Sequence, residues 1–297
     1  MPAAANSRVR IWALAARPKT LWAAVVPVVV GTAMAVEAGG FHALSALFAL
    51  LGAVLIQVGT NYINDYYDFL KGADTVSRKG PVRALQSGLV SPETTRRAAA
   101  LVFALAVVDG LYLVWRGGWP VLLIGLLSIA AGVLYTAGRY SLAYLGLADV
   151  FVVLFFGPVA VGGTYYVQTL GVNAVVLFAA FGPGLLSAAI LLVNNVRDID
   201  EDRRANKKTL VVRLGRKTGV ALYALCAGAA ALIPVVLYLV TGEHPWAMIS
   251  LVILPLVVPI VRTLASSKNP VALNPMLGAT SRLLLIYGLL FSIGWLI

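Results

Sequence analysis

A run of amide and acidic residues early in the chain has the spacing of a metal-binding helix face. It reads Asn-Tyr-Ile-Asn-Asp-Tyr-Tyr-Asp and contains Asn61, Asn64, Asp65 and Asp68. In a helix, Asn61, Asp65 and Asp68 lie on one side, because they are separated by four and then three residues. Oxygen ligands that face the same way suit a hard cation such as Mg²⁺.

A second run of the same kind lies much later and reads Asn-Asn-Val-Arg-Asp-Ile-Asp-Glu-Asp. Its Asn195, Asp198 and Asp202 also share one helix face. Carboxylates that converge repel one another unless cations stand between them. We therefore predict that Asp65 and Asp68 bind metal together with Asp198 and Asp202.

The competing interpretation is that these acids only end two membrane helices in the solvated headgroup region. It accounts well for Asp200 and Glu201, which need no partner there. It accounts less well for Asp65, Asp68 and Asp198, because a carboxylate at membrane depth costs about 3 kcal/mol and normally lines a cavity. Their helical spacing with amides favours the cavity.

Basic residues follow both acidic runs. The first run is followed by Lys71, Arg78, Lys79 and Arg83, and the second by Arg203, Arg204, Lys207 and Lys208. Mg²⁺ bound by a few carboxylates keeps coordination positions that phosphate oxygens fill. Acids and cations together therefore predict a diphosphate-binding site, although basic residues also serve to fix membrane topology.

Other chemistries lack the residues that they need. The sequence has no G-x-x-x-x-G-K-[ST] phosphate loop, and its two histidines, His42 and His244, lie outside both acidic runs. The single cysteine, Cys226, cannot build a disulfide framework or a cysteine metal site. An ion-coupled transporter is the alternative from another class, but the inverted repeats expected of it are not evident.

The composition is that of a membrane protein. Of the 297 residues, 60% are hydrophobic and 12% are charged, the latter well below the share in a soluble domain. Each of nine apolar stretches approaches the roughly 20 residues that a bilayer crossing needs. They are residues 20–38, 43–69, 98–115, 119–136, 144–167, 173–199, 218–240, 246–264 and 277–297. We predict an all-α bundle of nine transmembrane helices in one domain, 1–297, with a cap formed by the loops after helices two and six.

The placement of charge predicts the orientation. With nine crossings, every one of the 23 lysine and arginine residues except Arg116 falls on the side that holds the N-terminus. Loops rich in basic residues stay in the cytosol. The N-terminus and the cap are therefore predicted to be cytosolic and the C-terminus to be outside, in the inner (plasma) membrane.

Together these features resemble the UbiA superfamily of intramembrane prenyltransferases, over essentially the whole chain. Within that family the sequence is most similar to the enzymes whose acceptor is 1,4-dihydroxy-2-naphthoate. The segments that carry this finer resemblance are 17–21, 64–68 with Lys71 and Gly72, 80–83, 146–150, 155–158, 194–200 and 207–215.

One position departs from the family pattern. The first motif of the family is N-D-x-x-D-x-x-x-D, and its last aspartate is replaced by Gly72 here, with Asp74 two residues further on. The naphthoate branch tolerates the same change, so the departure favours that branch.

The resemblance implies a reaction and a cofactor. A polyprenyl group would pass from a prenyl diphosphate to the aromatic acceptor in a central cavity, with loss of diphosphate and carbon dioxide. Two Mg²⁺ ions, which Mn²⁺ can replace, would be bound by the four aspartates named above. The basic residues that would hold the diphosphate or the acceptor carboxylate are Lys71, Arg83, Arg139, Lys207 and Lys208.

Amides and tyrosines would complete the site. Asn61, Asn64 and Asn195 would position the ions or their oxygen ligands. Tyrosine rings would shield the allylic cation through their π faces. The candidates are Tyr62, Tyr66, Tyr135, Tyr140 and Tyr165. Prenylation of another aromatic acid, of haem or of a chlorophyll-type acceptor is the alternative within the family.

Overall fold

The computed structural model describes residues 8–72, 80–81, 83–138 and 141–297. Several predicted site residues lie outside the described residues: Arg78, Lys79, Arg139 and Tyr140, and also Asp74. Throughout the described ranges the regular structure is helical, and no β-strand occurs in them.

The helices follow one another with short connections. In chain order they are α1 Arg8–Ala15, α2 Trp22–Glu37, α3 Ala43–Leu70, α4 Pro92–Gly117, α5 Trp119–Leu134, α6 Leu142–Leu145, α7 Ala148–Leu154, α8 Ala160–Thr169, α9 Ala174–Ala179, α10 Phe181–Arg197, α11 Ile199–Arg204, α12 Leu210–Leu214, α13 Arg216–Thr241, α14 Ile253–Ser266 and α15 Pro270–Leu296. Two 3₁₀ segments, Pro18–Thr20 and Pro245–Val252, precede α2 and α14, and a π-helical turn, Phe155–Val159, joins α7 to α8.

The chain is a multi-pass membrane protein, as predicted. Among the described residues, eight helical segments are long and apolar enough to cross a bilayer. They are Pro18–Glu37, Ala43–Leu70, Pro92–Gly117, Ala148–Thr169, Ala174–Arg197, Arg216–Thr241, Pro245–Ser266 and Pro270–Leu296. The fourth predicted span, 119–136, corresponds to α5, which has only 16 residues against the roughly 20 that a crossing needs. Eight of the nine predicted spans are thus found, and the ninth crossing stays a prediction.

Two of the helices begin earlier than their apolar stretches. Ser91 caps α4, because its hydroxyl accepts a hydrogen bond from the Thr94 amide at 3.2 Å, and a proline follows at the first helical position. Asn269 caps α15 in the same way, accepting from the Val271 amide at 3.0 Å. A polar cap followed by proline at the first helical position favours the start of a helix. Hydropathy alone therefore placed both starts several residues too late.

Helix α10 lies at the centre of the protein. Within the apolar part of its span, 67% of residues are buried, against 17% for the spans that contain α3 and α4. Helices α7, α13 and α15 pack around it, and together with α2 they enclose the larger hydrophobic core. Helices α3 and α4 pack along each other and, with α1, enclose a smaller core. A cavity separates these two groups of helices.

Glycine lets α10 approach the π-helical turn closely. A Cβ atom added to Gly184 would stand 2.5 Å from the Val153 carbonyl oxygen, and one added to Gly157 would stand 2.8 Å from the Ala180 carbonyl oxygen. Any larger side chain would push the two backbones apart. Pro158 follows at the point where the backbone leaves helical geometry, since it has no N–H to donate. Packing and a local distortion therefore coincide at this Gly-Pro pair.

Candidate active site

The last two turns of α3 turn their polar residues inward. Asn61, Asn64, Asp65 and Asp68 are all buried, with exposures between 2% and 7%. The helix ends at Leu70 with Lys71 as its C-cap, and Gly72 then takes the left-handed conformation that stops it, with φ of 65°. The predicted stripe is therefore formed, and it faces the protein interior.

Basic side chains pair with both carboxylates of this stripe. Arg17 forms an ion pair with Asp65, and the Arg83 guanidinium Nη1 lies 3.3 Å from Asp65 Oδ1. The same Nη1 atom donates to Asp68 Oδ2 at 3.0 Å. Burial of a carboxylate without a paired cation is costly. These ion pairs therefore allow Asp65 and Asp68 to be buried side by side.

The second acidic run lies where α10 ends and α11 begins. Asp198 occupies the junction between the two helices. Its two oxygens accept hydrogen bonds from Arg197, from Nε at 2.6 Å and from Nη2 at 2.7 Å. The Arg197 side chain is 1% exposed and also donates to Asn274 of α15 at 3.3 Å. Asp198 is thus held by a buried guanidinium that is anchored on the last helix.

The two acidic runs meet across Lys207. Its Nζ atom lies 3.0 Å from Asp68 Oδ1, on α3, and 4.0 Å from Asp202 Oδ1, on α11. The Asp202 and Lys207 side chains are each 13% exposed, whereas the Asp200 side chain is 72% exposed. The arrangement brings three of the four predicted metal-binding aspartates, Asp65, Asp68 and Asp202, into one network of charges.

The carboxylate oxygens of this network are of the kind that binds Mg²⁺, but basic side chains separate them. Within the ranges that the structure describes, no three carboxylate, imidazole or thiolate groups converge as a metal-binding cluster. Basic side chains stand between the carboxylates instead: Arg83 contacts Asp65 and Asp68, and Lys207 contacts Asp68 and Asp202. The oxygens present are those that Mg²⁺ prefers. Ions would have to take the places that these basic groups hold.

Lys71 is turned away from the carboxylates. Its ammonium group donates to the carbonyl oxygens of Thr136 at 2.5 Å and Gly138 at 2.8 Å, after α5, and to the Ser141 hydroxyl at 3.4 Å. The ring of Tyr144 lies 4.2 Å from Nζ. Burial lowers the pKa of Lys71, although the negative charge of Asp68 opposes the shift. Lys71 therefore fixes the end of α5, and its predicted contact with diphosphate stays a prediction.

The predicted amides occupy different places. Asn64 accepts a hydrogen bond from the Thr136 hydroxyl at 2.8 Å, and Asn61 donates to the Ala16 carbonyl at 2.9 Å. Both also line the cavity. Asn195 is buried but is not on the cavity wall, where its neighbour Asn194 stands instead. Lys208 is exposed.

The sequence did not indicate two arginines as site residues. Arg17 lies in a segment that resembles the family and Arg197 lies in the second acidic run, yet they pair with Asp65 and Asp198. Arg17 takes a left-handed conformation, with φ of 54°, directly before Pro18. An arginine before a helix-starting proline was the available signal, but only the fold shows its partner.

An apolar cavity of about 400 Å³ adjoins the charged network through Arg17, which lines its wall. Its polar end is lined by Arg17, Asn61, Asn64, Tyr135 and Asn194. Along α3 the lining extends from Asn64 back to Ala49, which corresponds to about 22 Å of helix. The remaining wall is mostly hydrophobic, with scattered polar side chains such as Gln57 and Ser187. Its length and character suit a long hydrocarbon chain attached to an anionic head.

Of the tyrosines considered for shielding a cation, Tyr135 lines the cavity. The Tyr62 ring packs against Trp12 at 5.3 Å, and the Tyr66 ring packs against Tyr67 at 5.2 Å. Tyr165 is buried in the larger core. Tyr135 is thus the tyrosine best placed among those described.

Comparison with known proteins gives consistent results. Residues 24–295 match the UbiA prenyltransferase family. The 1,4-dihydroxy-2-naphthoate octaprenyltransferase of Escherichia coli (strain K12) is 37% identical, over 97% of this chain and 96% of its own length. The protein of the same name from Mycobacterium tuberculosis is 39% identical, over 94% of each chain.

The fold has a counterpart among solved structures. A UbiA homolog from Archaeoglobus fulgidus, bound to DMAPP and Mg²⁺, superposes with a TM-score of 0.66, over 95% of this chain and 99% of that chain. The two sequences are only 17% identical, so the likeness concerns the fold alone.

Proposed function

Because the chain belongs to the UbiA prenyltransferase family, we propose that it transfers a polyprenyl group from a prenyl diphosphate to 1,4-dihydroxy-2-naphthoate. The allylic C–O bond breaks and its electron pair leaves with diphosphate. The ring carbon that bears the carboxylate forms the new C–C bond, and carbon dioxide leaves, giving demethylmenaquinol. The observation that carries this proposal is the charged network at the mouth of the apolar cavity, where Lys207 joins Asp68 to Asp202.

Magnesium belongs to the proposal as cofactor. Asp65, Asp68, Asp198 and Asp202 would hold two Mg²⁺ ions, and Mn²⁺ would substitute. Bound there, the ions would stabilise the negative charge that grows on the departing diphosphate. The oxygen-only donor set described above supports this assignment.

The basic residues of the site would serve the diphosphate directly. Arg83 and Lys207 each lie 3.0 Å from an Asp68 oxygen. A diphosphate bound beside Asp68 would therefore also lie within reach of both cations. Arg17 shares Asp65 with Arg83 and also lines the cavity. Arg139, Lys208 and Tyr140 remain further candidates from the sequence.

The cavity would hold the prenyl chain and protect the reaction. Its hydrophobic wall excludes water, which would otherwise capture the allylic cation. Tyr135 offers its ring at the polar end, where the C–O bond breaks. The amides of Asn61 and Asn194 supply hydrogen bonds without adding charge.

The orientation is also a proposal. We place the N-terminus in the cytosol and the C-terminus outside the inner membrane, because all basic residues but Arg116 then lie inside. A membrane-impermeant thiol reagent should label cysteines introduced between residues 200 and 217 only from the cytosolic side. Labelling from outside would overturn the orientation.

A direct assay tests the function. Purified protein in detergent is incubated with a polyprenyl diphosphate, Mg²⁺ and one candidate acceptor at a time, and products are weighed by mass spectrometry. We expect a prenylated naphthalenediol that has lost the mass of carbon dioxide. If another aromatic acid gave a product and the naphthoate gave none, that other acid would be the acceptor and the proposed acceptor would be wrong.

A further inference from the structure

Gln57 and Ser187 are among the polar side chains that line the cavity. Gln57 lies on α3, four residues before Asn61, and Ser187 lies on α10, seven residues before Asn194. These offsets place Gln57 about 6 Å and Ser187 about 10 Å deeper along their helices. Both helical offsets keep the side chains on the cavity-facing side of their helices.

Neither side chain forms a hydrogen bond with another residue that the structure describes. Ser187 is 3% exposed, and its hydroxyl has no hydrogen-bond partner in the part of the chain that the structure describes. The Gln57 side chain is half-buried and has no hydrogen bond to any described residue. A hydroxyl in a helix can bond to the carbonyl one turn back, as that of Thr280 in α15 does to Met276 at 2.9 Å. Ser187 does not, so its hydroxyl remains available at the wall.

Unsatisfied polar groups at this depth are unfavourable unless something bonds to them. A hydroxyl or an amide without a partner in an apolar setting costs about 1–3 kcal/mol. A prenyl chain offers no donor or acceptor, so it would leave both groups unsatisfied. An aromatic ring with hydroxyl substituents can donate to and accept from both.

We infer that Gln57 and Ser187 form the subsite for the ring hydroxyl groups of the acceptor. The ligand class is a dihydroxylated aromatic acid, and this identification rests on the proposed function. Its carboxylate end faces the basic residues at the cavity mouth, and its hydroxyls meet the amide and the serine below. The subsite then selects the acceptor, whereas the aspartates and basic residues select the diphosphate.

Hydrogen-bond recognition makes a specific kinetic prediction. Gln57→Leu and Ser187→Ala should each raise the KM for the naphthoate about tenfold, because each removes about one hydrogen bond to the ligand. The KM for prenyl diphosphate should not change. Ser281→Ala is the matched control, since Ser281 is also a buried hydroxyl without a partner but lies on α15, off the cavity wall.

An acceptor analogue identifies the contact. The wild type should bind 1-hydroxy-2-naphthoate, which lacks one ring hydroxyl, more weakly than the dihydroxy acid. The variant that has lost the partner of that hydroxyl should bind both acids equally. Equal losses for both acids in both variants would overturn the inference, as would an effect of Ser281→Ala as large as that of Ser187→Ala.

Binding and turnover separate this inference from the proposed function. Affinity is measured by the fluorescence of the bound naphthoate, with an unreactive prenyl diphosphate analogue and Mg²⁺ present. If the wild type binds the naphthoate and the variants bind it weakly, the subsite stands even where no product forms. Wild-type affinity in both variants, or no binding by the wild type, would overturn it.

Discussion

The Lys207 ammonium group lies 3.0 Å from Asp68 Oδ1, although Asp68 belongs to the first acidic run and Lys207 follows the second, 139 positions later in the chain. The contact brings a cation from the segment after α11 to the end of α3. It joins the two halves of the proposed diphosphate site. Removal of this one charge should therefore weaken diphosphate binding more than it weakens folding.

Lys207→Met tests the charge. A charge-assisted contact is worth about 1.5–3 kcal/mol, so kcat/KM for prenyl diphosphate should fall about 10- to 100-fold. Steady-state kinetics with the acceptor at saturation measures this. Lys217→Met is the control, because Lys217 is exposed at the start of α13. Matching losses in the two variants would mean that net positive charge, and not the position of Lys207, is what matters.

Asp198 and Asp200 differ in exposure and should differ in function. The Asp198 side chain is 14% exposed and that of Asp200 is 72% exposed. Asp198→Asn should reduce turnover about a thousandfold, the order of several kcal/mol expected for lost metal-ion charge stabilisation. Asp200→Asn should be mild. At matched expression, equal and modest losses would leave solvated helix ends as a sufficient explanation of both acids.

Metal removal should abolish turnover. The proposed ligands are oxygens only, and without ions the leaving diphosphate would lose its main charge compensation. Activity should vanish in excess EDTA and return with Mg²⁺ or Mn²⁺. EDTA already saturated with Mg²⁺ controls for effects of the chelator itself. Undiminished turnover in free EDTA would show that the reaction does not need a metal ion.

Filling the cavity should shorten the prenyl chain that is accepted. Gly110 lines the cavity, and a Cβ atom added to it would meet nothing within 4 Å. Gly110→Leu therefore adds bulk where the chain would lie, and should lower kcat/KM for long prenyl diphosphates about 10- to 100-fold. Geranyl diphosphate should be affected little.

Gly228→Leu controls for glycine replacement in a helix. Gly228 also has open space around it, but it lies on α13 and not on the cavity wall. Gly228→Leu should have the same ratio of kcat/KM for long and short prenyl diphosphates as the wild type. If Gly110→Leu also left the preference for chain length unchanged, the cavity would not be the site of the prenyl chain.

Much of the fold could be predicted from local patterns. Apolar length located eight spans, and helical spacing placed Asp65 and Asp68 on an inner face, where the structure has them buried. The same spacing turned Asp200 outward. Such predictions succeed because a membrane helix is defined by its own residues and by the period of its polar face.

The pairings between distant residues could not be predicted in this way. Arg17 contacts Asp65 across 48 positions, and Lys71 contacts Thr136 across 65. Such partners depend on how helices pack, which the spacing along one helix does not encode. The choice between Asn194 and Asn195 depends on the rotation of α10, which its neighbours fix.

The central claim is that the two acidic runs act as one unit on one diphosphate. A double-mutant cycle on Asp68 and Asp202, which share Lys207, tests it most directly. Asp68→Asn, Asp202→Asn and the double variant are compared by single-turnover conversion of radiolabelled prenyl diphosphate, after thermal unfolding confirms that each is folded. Each single change should cost about a thousandfold, and the double variant little more, because groups that act as a unit are not additive. A double variant whose loss equals the product of the two single losses would contradict the claim.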